Sequence, residues 1–214
     1  MSTAITEAEA VLPNPFTHLA SRSRLKRVAS ALERRGIHAI VAENGAQAKD
    51  LALALVPEGA EVHAALSETL AQLGITAELE ESGRYDALRP KLMRMNRTTQ
   101  RHEMRRLGAA PDYILGSAHA ITDDGVILVG SGSGSQLGPY AYSAGHVILL
   151  VGAQKIVRDV DAGLRRLQEH SLPLEDARMK RMGMAGSRLN KILLINGDMS
   201  DRTTVILVPE VLGF

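Results

Sequence analysis

The sequence predicts an α/β fold, a three-layer α/β/α sandwich around a mostly parallel central sheet. Short β-branched segments alternate with amphipathic segments of helical period along most of the chain. The segment 146–152, HVILLVG, is almost wholly apolar, as expected of a strand covered on both faces. A chain of 214 residues is also long enough to bury a core without disulfides, and this one has no cysteine.

The first half of the chain predicts alternating helices and strands. Residues 1–16 contain two prolines and predict a flexible N-terminal arm, which leaves 17–214 as a single domain. Thr17 or Ser21 is the candidate N-cap of the first helix, and Asn44 that of the second. The predicted elements are helix 17–35, strand 37–43, helix 44–56, strand 61–66 and helix 67–74, followed by a short strand (ITAEL) and a loop within 75–88.

The second half begins with a basic segment that predicts one long helix. Asp123, Asp124 and Gly125 predict the turn of a β-hairpin. Residues 173–190 are interpreted as a polar link, so that the strands after it would form a small appendage or a sheet edge. The predicted elements are helix 90–106, a strand, loop and hairpin strand over 113–129, strand 146–152, helix 156–171, and strands 191–197 and 203–213.

Composition and charge exclude several classes of function. The 25 basic residues nearly balance the 24 acidic ones, so nothing indicates binding to nucleic acid or to an anionic membrane. No apolar run approaches the ~20 residues of a membrane helix, and the N-terminus lacks the pattern of a signal peptide. Without cysteine, the chain cannot ligate an iron–sulfur cluster through thiolates, and it is expected to be cytoplasmic. The seven histidines lack metal-ligand spacing, so no metal site is expected.

Four loops follow predicted strands and carry small or polar residues. In an open α/β sheet, ligands bind beyond the carboxyl ends of the parallel strands, so these loops are expected to face one crevice. The candidate ligand-binding residues are Ser67, Glu68 and Thr69; Ser117; Gly132, Ser133, Gly134, Ser135 and Gln136; and Lys155.

Each of these loops has a functional and a structural interpretation. Ser67 begins a helix whose free N–H groups favour an anion, or it is a plain N-cap. The glycines of 130–136 let consecutive N–H groups converge on an anion, or the segment is a solvated flexible loop. Lys155 follows a strand end, where it could meet a phosphate or carboxylate, or it is an ordinary solvated lysine.

Two residues are candidates for acid–base catalysis. His119 titrates near neutrality in its ordinary state and could be a general acid or base, or it could make a structural hydrogen bond. Asp123 is the second candidate, although its position also suits a role in shaping the hairpin turn.

The basic segment 89–106 is a candidate surface for an anionic partner. If it forms one helix, the 3–4 spacing of Arg94, Arg97, Arg101 and Arg105 places them on one face. The alternative is a solvated face whose charge is offset by the nearby acidic residues. Nucleic acid is not the expected partner, because no aromatic residues interleave the basic ones.

Several of these segments resemble the LUD (lactate-utilisation) domain family. The resemblance extends over roughly residues 25–214, and it is most specific over 113–176. It is carried by GSAHAITDDGVILV, GSGSGSQLGPYAYSAGHVILLVGAQKIVRDVDAGLRRLQEHSLPLEDARM, RTTVILVPEVLGF and ALSETLAQLGI, and VGAQKIVRD matches the family's strand-then-lysine segment.

The resemblance implies a fold like that of ribose-5-phosphate isomerase and the CoA transferases. Members of this family include a subunit of a bacterial system that oxidises L-lactate to pyruvate, in which the partner subunits carry the iron–sulfur clusters, so the resemblance implies a role of that kind. Where the better-known branch of the family has Gly-Asn-Arg, this chain has Gly134, Ser135 and Gln136, so an arginine that could bind a carboxylate is absent. By analogy of fold, the crevice of the phosphosugar isomerases corresponds to the strand ends at Ser67, at Ser117 to His119 and at Lys155.

Three functional hypotheses follow. The first is an accessory subunit in lactate-type oxidation that holds a small anionic metabolite, works with iron–sulfur partner proteins, and has no cofactor of its own. The second is a stand-alone enzyme on a phosphorylated sugar or a CoA ester, with His119 or Asp123 as acid–base and Lys155 holding the anion. The third is a protein-interaction module that uses the basic 89–106 helix. A homo-oligomer is compatible with all three.

Overall fold

The computed structural model of this chain describes residues 14–199 and 201–214, and within them ten strands form two sheets. The strands are β1 His38–Val41, β2 Glu61–Ala64, β3 Asp86–Ala87, β4 Tyr113–Gly116, β5 Ala120–Thr122, β6 Ile127–Ser131, β7 His146–Gly152, β8 Ile156–Val157, β9 Lys191–Ile195 and β10 Thr203–Val208. The helices are α1 Arg22–Glu33, α2 Gly45–Ala54, α3 Glu68–Gln72, α4 Ile75–Glu81, α5 Leu88–Arg94, α6 Arg101–Leu107, α7 Val160–Arg166 and α8 Leu172–Arg181. Shorter turns are 3-10 at Pro15–Thr17 and Ala153–Lys155, and π-helical at Pro139–Ser143 and Leu167–Ser171.

The larger sheet, here called the main sheet, has the order β1-β10-β7-β4-β2-β3, and all its neighbouring strands run parallel. The smaller one, the second sheet, has the order β8-β5-β6-β9 and is mixed. The predicted α/β fold with a mostly parallel central sheet is therefore confirmed. The predicted hairpin is present as the antiparallel pair of β5 and β6.

Strand β7 shows why the main sheet is buried on both faces. Val147, Leu149 and Val151 pack in one core, which they share with α1 and the second sheet. Ile148 and Leu150 point the opposite way, into a core formed with α2, α3 and α4. Successive side chains of a strand point to opposite faces, so an uninterrupted apolar run is what this position requires.

The caps of the first two long helices were predicted from the sequence. Ser21 Oγ accepts the N–H of Arg24 over 3.3 Å, and α1 begins at the next residue. Asn44 Oδ1 accepts the N–H of Gln47 over 2.9 Å at the start of α2. Each bond satisfies a backbone donor that the helix itself leaves unpaired.

The single helix predicted over 90–106 is wrong. Two short helices, α5 and α6, replace it, and a turn separates them. Asn96 forms this turn because its Oδ1 accepts the N–H groups of Thr98 and Thr99 over 2.8 and 3.1 Å. A short polar side chain can offer the backbone such bonds in place of those of a helix. The basic residues of this segment therefore do not share one continuous helical face.

Two further predicted elements are wrong. Residues 75–81 form the helix α4 instead of a short strand. The polar link predicted over 173–190 is helical as far as Arg181, because α7 continues through the π-helical turn into α8. The first half of the predicted link is therefore helical, whereas residues 182–190 form no helix or strand, as the prediction has it.

The two last strands have different positions. β9 is an edge strand of the second sheet. A sheet edge was one of the two positions predicted for it, the other being a small appendage. β10 instead lies in the main sheet between β1 and β7, and its residues 205–208 are buried. Residues 1–13 of the arm predicted over 1–16 lie outside the described residues, and only residues 14–16 of the arm are described. No helix in the described ranges is long and apolar enough to cross a membrane.

Candidate functional site

A cavity of about 820 Å³ opens where β2, β4 and β6 end, between these strand ends and α8. The parallel strands of the main sheet bring their carboxyl ends to one edge, so loops that are distant in sequence meet there. Most of the candidates that the sequence singled out line this cavity: Ser67, Glu68, Thr69, Ser117, His119, Gly132, Ser133, Ser135, Gln136 and Lys155.

Lys155 is the central cation of the cavity. Its side chain is 2% exposed, although it lies on the cavity wall. Its Nζ donates to Thr69 Oγ1 over 3.0 Å and to Ser117 Oγ over 3.1 Å. An ammonium has three N–H groups, and the third has no partner within residues 14–199 and 201–214. Burial, and then the positive charge of Arg166, lowers the pKa of Lys155 to about 7.

The two hydroxyls beside Lys155 are oriented by carbonyls. Thr69 Oγ1 donates to the carbonyl of Leu212 over 3.2 Å, and Ser117 Oγ donates to the carbonyl of Ala118 over 3.2 Å. Their protons are thereby directed away from the lysine, and their lone pairs are available to its ammonium. The arrangement holds the lysine as a donor and does not neutralise its charge.

Arg166 is a second buried cation, and the sequence analysis missed it. It is 0% exposed, and its Nη1 donates to the carbonyl of His119 over 2.7 Å and to Ser171 Oγ over 3.0 Å. Its Nε and Nη2 are buried without a hydrogen-bond partner in the described structure. Burial lowers the pKa of Arg166 to about 10. The residue therefore lies directly behind the cavity wall, with its charge unpaired.

The sequence does contain a signal for Arg166. Gly163, Arg166, Leu167 and His170 recur at 3–4 spacing, and all four are buried on one side of α7 and its π-helical extension. A cation within such a stripe indicates a buried charge, which needs a partner or a function.

His119 is held as a neutral imidazole. The N–H of Gly130 donates to its Nδ1 over 3.2 Å, which requires that nitrogen to be unprotonated and places the proton on Nε2. Burial, followed by the charges of Lys155 and Arg166, lowers the pKa of His119 to about 3. The same three causes, in the order burial, Arg166 and Lys155, lower the pKa of His170. Both imidazoles are thus neutral at physiological pH, beside the cation Arg166 and beside Lys155, whose own pKa is about 7.

The loop 130–136 is tied together by its own serines. Ser131 Oγ donates to Gln136 Oε1 over 3.1 Å and accepts the N–H of Gly134 over 2.8 Å. Ser133 Oγ donates to Ser135 Oγ over 3.2 Å. The serine hydroxyls of this loop therefore bond to one another and to Gln136, and the loop forms part of the cavity wall.

Ser67 caps the helix that it begins. Its Oγ accepts the N–H of Leu70 over 3.3 Å, which is the structural alternative predicted from the sequence. Glu68 follows in the first turn and lies half-buried on the cavity wall. Two further carboxylates of the wall are paired, Glu175 with Arg178 at 2.7 Å and Asp176 with Lys180 at 2.6 Å. Neither of those two ion pairs involves Lys155.

Two of the predicted site residues are not on the cavity wall. Gly134 has a φ of 85°, and its α-carbon faces the side chain of Lys191 instead of the cavity. Asp123 lies at the hairpin turn and pairs with Arg24 through bonds of 2.7 and 3.1 Å. The carboxylate of Asp123 contacts α1, so it cannot act on a molecule held beside Lys155.

No cluster of three or more His, Cys, Asp or Glu side chains suited to a metal ion occurs in residues 14–199 and 201–214. The groups that interact electrostatically with Lys155 are instead Arg166, His119 and His170, none of which carries a negative charge. The carboxylates of the wall make no ion pair with Lys155 in the described residues, so its ammonium is suited to an anion.

The model of the LUD domain matches residues 25–208. The chain belongs to the LUD domain family. The family resemblance seen in the sequence is thereby confirmed. The chain is also similar to the crystal structure of a DUF162 family protein from Deinococcus radiodurans, DUF162 being the earlier name of the LUD family.

That structural match has a TM-score of 0.53 and 16% sequence identity, and it covers 89% of this chain and 99% of the other. At this identity the likeness bears on the fold alone. No curated protein matches the chain.

Proposed function

We propose that this LUD-domain protein binds a small carboxylate of the lactate type in its cavity, as an accessory subunit in the oxidation of such an acid. The observation that carries the proposal is the pair of buried cations, Lys155 and Arg166, with no carboxylate partner in the described residues. A buried charge without a counter-ion is costly, and a bound anion would supply the missing negative charge.

The geometry at Lys155 favours a carboxylate as the ligand. The unused N–H of its ammonium and the proton on Nε2 of His119 are both donors, and both residues are on the cavity wall. Charge-assisted hydrogen bonds to a carboxylate are stronger than neutral ones. Because an anion stabilises the charged form of the lysine, binding near pH 8 should be accompanied by proton uptake.

The accessory role is supported by the absence of cysteine from the sequence. A cysteine-ligated redox cluster would have to belong to another chain, and an iron–sulfur protein is therefore the proposed partner. The role in lactate utilisation rests on the family to which the chain belongs. Co-purification of the tagged protein from its native cells with a cysteine-rich iron–sulfur protein would support this part, and its isolation without one would count against it.

Calorimetric titration with L-lactate and with pyruvate tests the binding site. The wild-type protein should bind at least one of them, and Lys155→Met should lower the affinity about 10- to 100-fold, as expected for losing a hydrogen bond to a charged group. Lys26→Met is the matched control, because Lys26 is exposed on α1 and away from this cavity. Equal affinity of wild type and Lys155→Met would show that the anion does not bind at the lysine.

A second candidate function is catalysis on a phosphorylated sugar or a CoA ester. The room in the cavity favours it, since about 820 Å³ lies in the range of sites for larger ligands. The purified chain alone would then convert ribose 5-phosphate or an acyl-CoA, and His119→Gln would abolish the turnover. Absence of product from both substrates would leave the binding function.

A further inference from the structure

The cavity is much larger than a three-carbon acid requires. Its volume of about 820 Å³ falls near the upper end of the 300–1,000 Å³ that enclose drug-sized ligands. The two residues proposed to bind the anion, Lys155 and His119, occupy only one part of the wall, here called the base. The remaining wall therefore has to accommodate either water or another part of the ligand.

On the side of α8, that remaining wall contains four large apolar side chains, here called the apolar wall, among polar residues such as Ser171, Ser187 and Asn190. Leu172 and Met179 of α8 and Leu189 of the following segment are half-buried and line the cavity, and Leu167 beside them is buried. Half-buried apolar side chains on a concave surface are stabilised when a ligand removes them from water. Water in the cavity would leave these side chains exposed and so would not stabilise them in this way.

The apolar wall begins directly beside the polar base. Gly130, whose N–H bonds to Nδ1 of His119, is covered by two leucines. A Cβ at this glycine would lie 2.6 Å from Leu167 and 2.7 Å from Leu189, so only glycine permits the leucines to approach so closely. The base and the apolar wall are therefore adjacent at Gly130.

The charged side chains of α8 on this wall are compensated, whereas Arg188 of the following segment also lines the cavity and has no ion pair in the described residues. Glu175 is paired with Arg178, and Asp176 with Lys180. An uncharged chain can therefore lie along α8 without separating a carboxylate from its counter-ion.

We infer that the cavity binds carboxylates with an aliphatic chain, such as medium-chain 2-hydroxy acids, more tightly than lactate itself. This inference rests on the proposed function. The carboxylate binds at Lys155, and the chain lies along Leu167, Leu172, Met179 and Leu189. Chain length is then the property that the apolar wall selects.

The test is calorimetric titration with L-lactate, 2-hydroxybutanoate, 2-hydroxyhexanoate and 2-hydroxyoctanoate, which share one head group. Each methylene that enters the apolar wall should tighten binding about fourfold, or about 60-fold from lactate to the hexanoate. If lactate binds as tightly as 2-hydroxyhexanoate, this inference is rejected and the proposed anion site survives. If none of the four acids binds, both are rejected.

A matched pair of variants locates the chain. Met179→Gln replaces a side chain of the cavity wall, whereas Met182→Gln changes an exposed methionine just beyond α8 that does not line the cavity. The sulfurs of both lie near Arg178, at 3.8 and 3.7 Å, which makes the control a close one. Met179→Gln should weaken 2-hydroxyhexanoate at least fivefold and leave lactate within twofold, and Met182→Gln should alter neither. If the two substitutions weaken the binding of 2-hydroxyhexanoate equally, the aliphatic chain does not lie along Met179. If circular dichroism shows that Met179→Gln folds poorly, Leu172→Ser serves as the test variant instead.

Discussion

Lys155 Nζ donates a 3.0 Å hydrogen bond to Thr69 Oγ1, although 86 positions separate the two residues. The bond joins the turn after β7 to the first turn of α3. It puts a cation beside a hydroxyl whose own proton is directed to the carbonyl of Leu212. The consequence is a buried ammonium that is held in place but not neutralised.

This uncompensated ammonium should make stability depend on pH. The pKa of Lys155 is about 7 in the folded protein and 10.5 in its ordinary state, so between these values the unfolded chain binds more protons. The free energy of unfolding should therefore rise with pH over this window, by at most about 1.4 kcal/mol per pH unit. The destabilisation is fully present at pH 7 and below.

The measurement is urea unfolding of wild type and Lys155→Met at several values from pH 7 to 10. Subtracting the two curves removes the other titrating groups. We expect Lys155→Met to be the more stable at pH 7, because it removes an unpaired buried charge, and the difference to shrink as the pH rises. Parallel curves would show that the lysine keeps an ordinary pKa.

Thr69→Val should weaken lactate binding by removing an acceptor of the ammonium. Without the hydroxyl the charged form of Lys155 is less favoured, so its pKa should fall further below its ordinary value. We expect about a tenfold loss of affinity at pH 7.5, and a smaller loss at pH 6, where the amine is protonated again. Calorimetry at the two pH values checks this.

Thr69→Ser is the matched variant, since it restores the hydroxyl and loses only a methyl group. It should bind lactate as the wild type does. If serine and valine weaken binding equally, the methyl group matters and not the hydrogen bond to the lysine.

The convergence of residues on the cavity could be foreseen, because it depends on topology. Ser67, Ser117 and Lys155 each follow a predicted strand, and parallel strands end at one edge of the sheet. The prediction did not require knowing which strands are neighbours in the sheet. The fold class and the helix caps could also be predicted, because they depend on local sequence. The apolar run of β7 indicates a strand buried on both faces, and Asn44 is a residue type that commonly caps a helix.

Other features depended on contacts that local patterns do not reveal. Arg166 is buried because α7 lies on the second sheet, where a Cβ at Gly163 would meet Leu128 at 2.7 Å. The central position of β10 follows from its pairing with both β1 and β7, which are far apart in sequence. The break at Asn96 is different: its turn is local, but the basic helical spacing around it concealed the signal.

His119 should remain neutral well below pH 6. Its folded pKa of about 3 lies below the ordinary 6.5, so the unfolded chain binds more protons between these values. Stability contributed by the neutral imidazole is complete above pH 6.5 and is lost as the pH falls toward 3. Nitrogen NMR at pH 6 should report an unprotonated Nδ1 and a proton on Nε2.

The matched variant for this residue is His119→Gln, whose amide oxygen can accept the N–H of Gly130. From pH 7 to 4.5 the wild type should lose stability faster than this variant, by up to about 1.4 kcal/mol per unit. The prediction fails if wild type and His119→Gln lose stability equally fast as the pH falls. It also fails if NMR shows that the imidazole of His119 titrates near pH 6.5, since the folded protein would then not hold it in the neutral form.

Asp123→Asn should leave ligand binding intact, because Asp123 contacts α1 and does not line the cavity. Its carboxylate pairs with Arg24 over 2.7 Å, with both side chains partly exposed. Such pairs contribute up to about 1 kcal/mol, so the variant should lose no more than that in the free energy of unfolding. A double-mutant cycle with Arg24→Gln should assign this loss to the pair, while lactate affinity stays within twofold by calorimetry. A tenfold loss of affinity in Asp123→Asn would instead return this residue to the site.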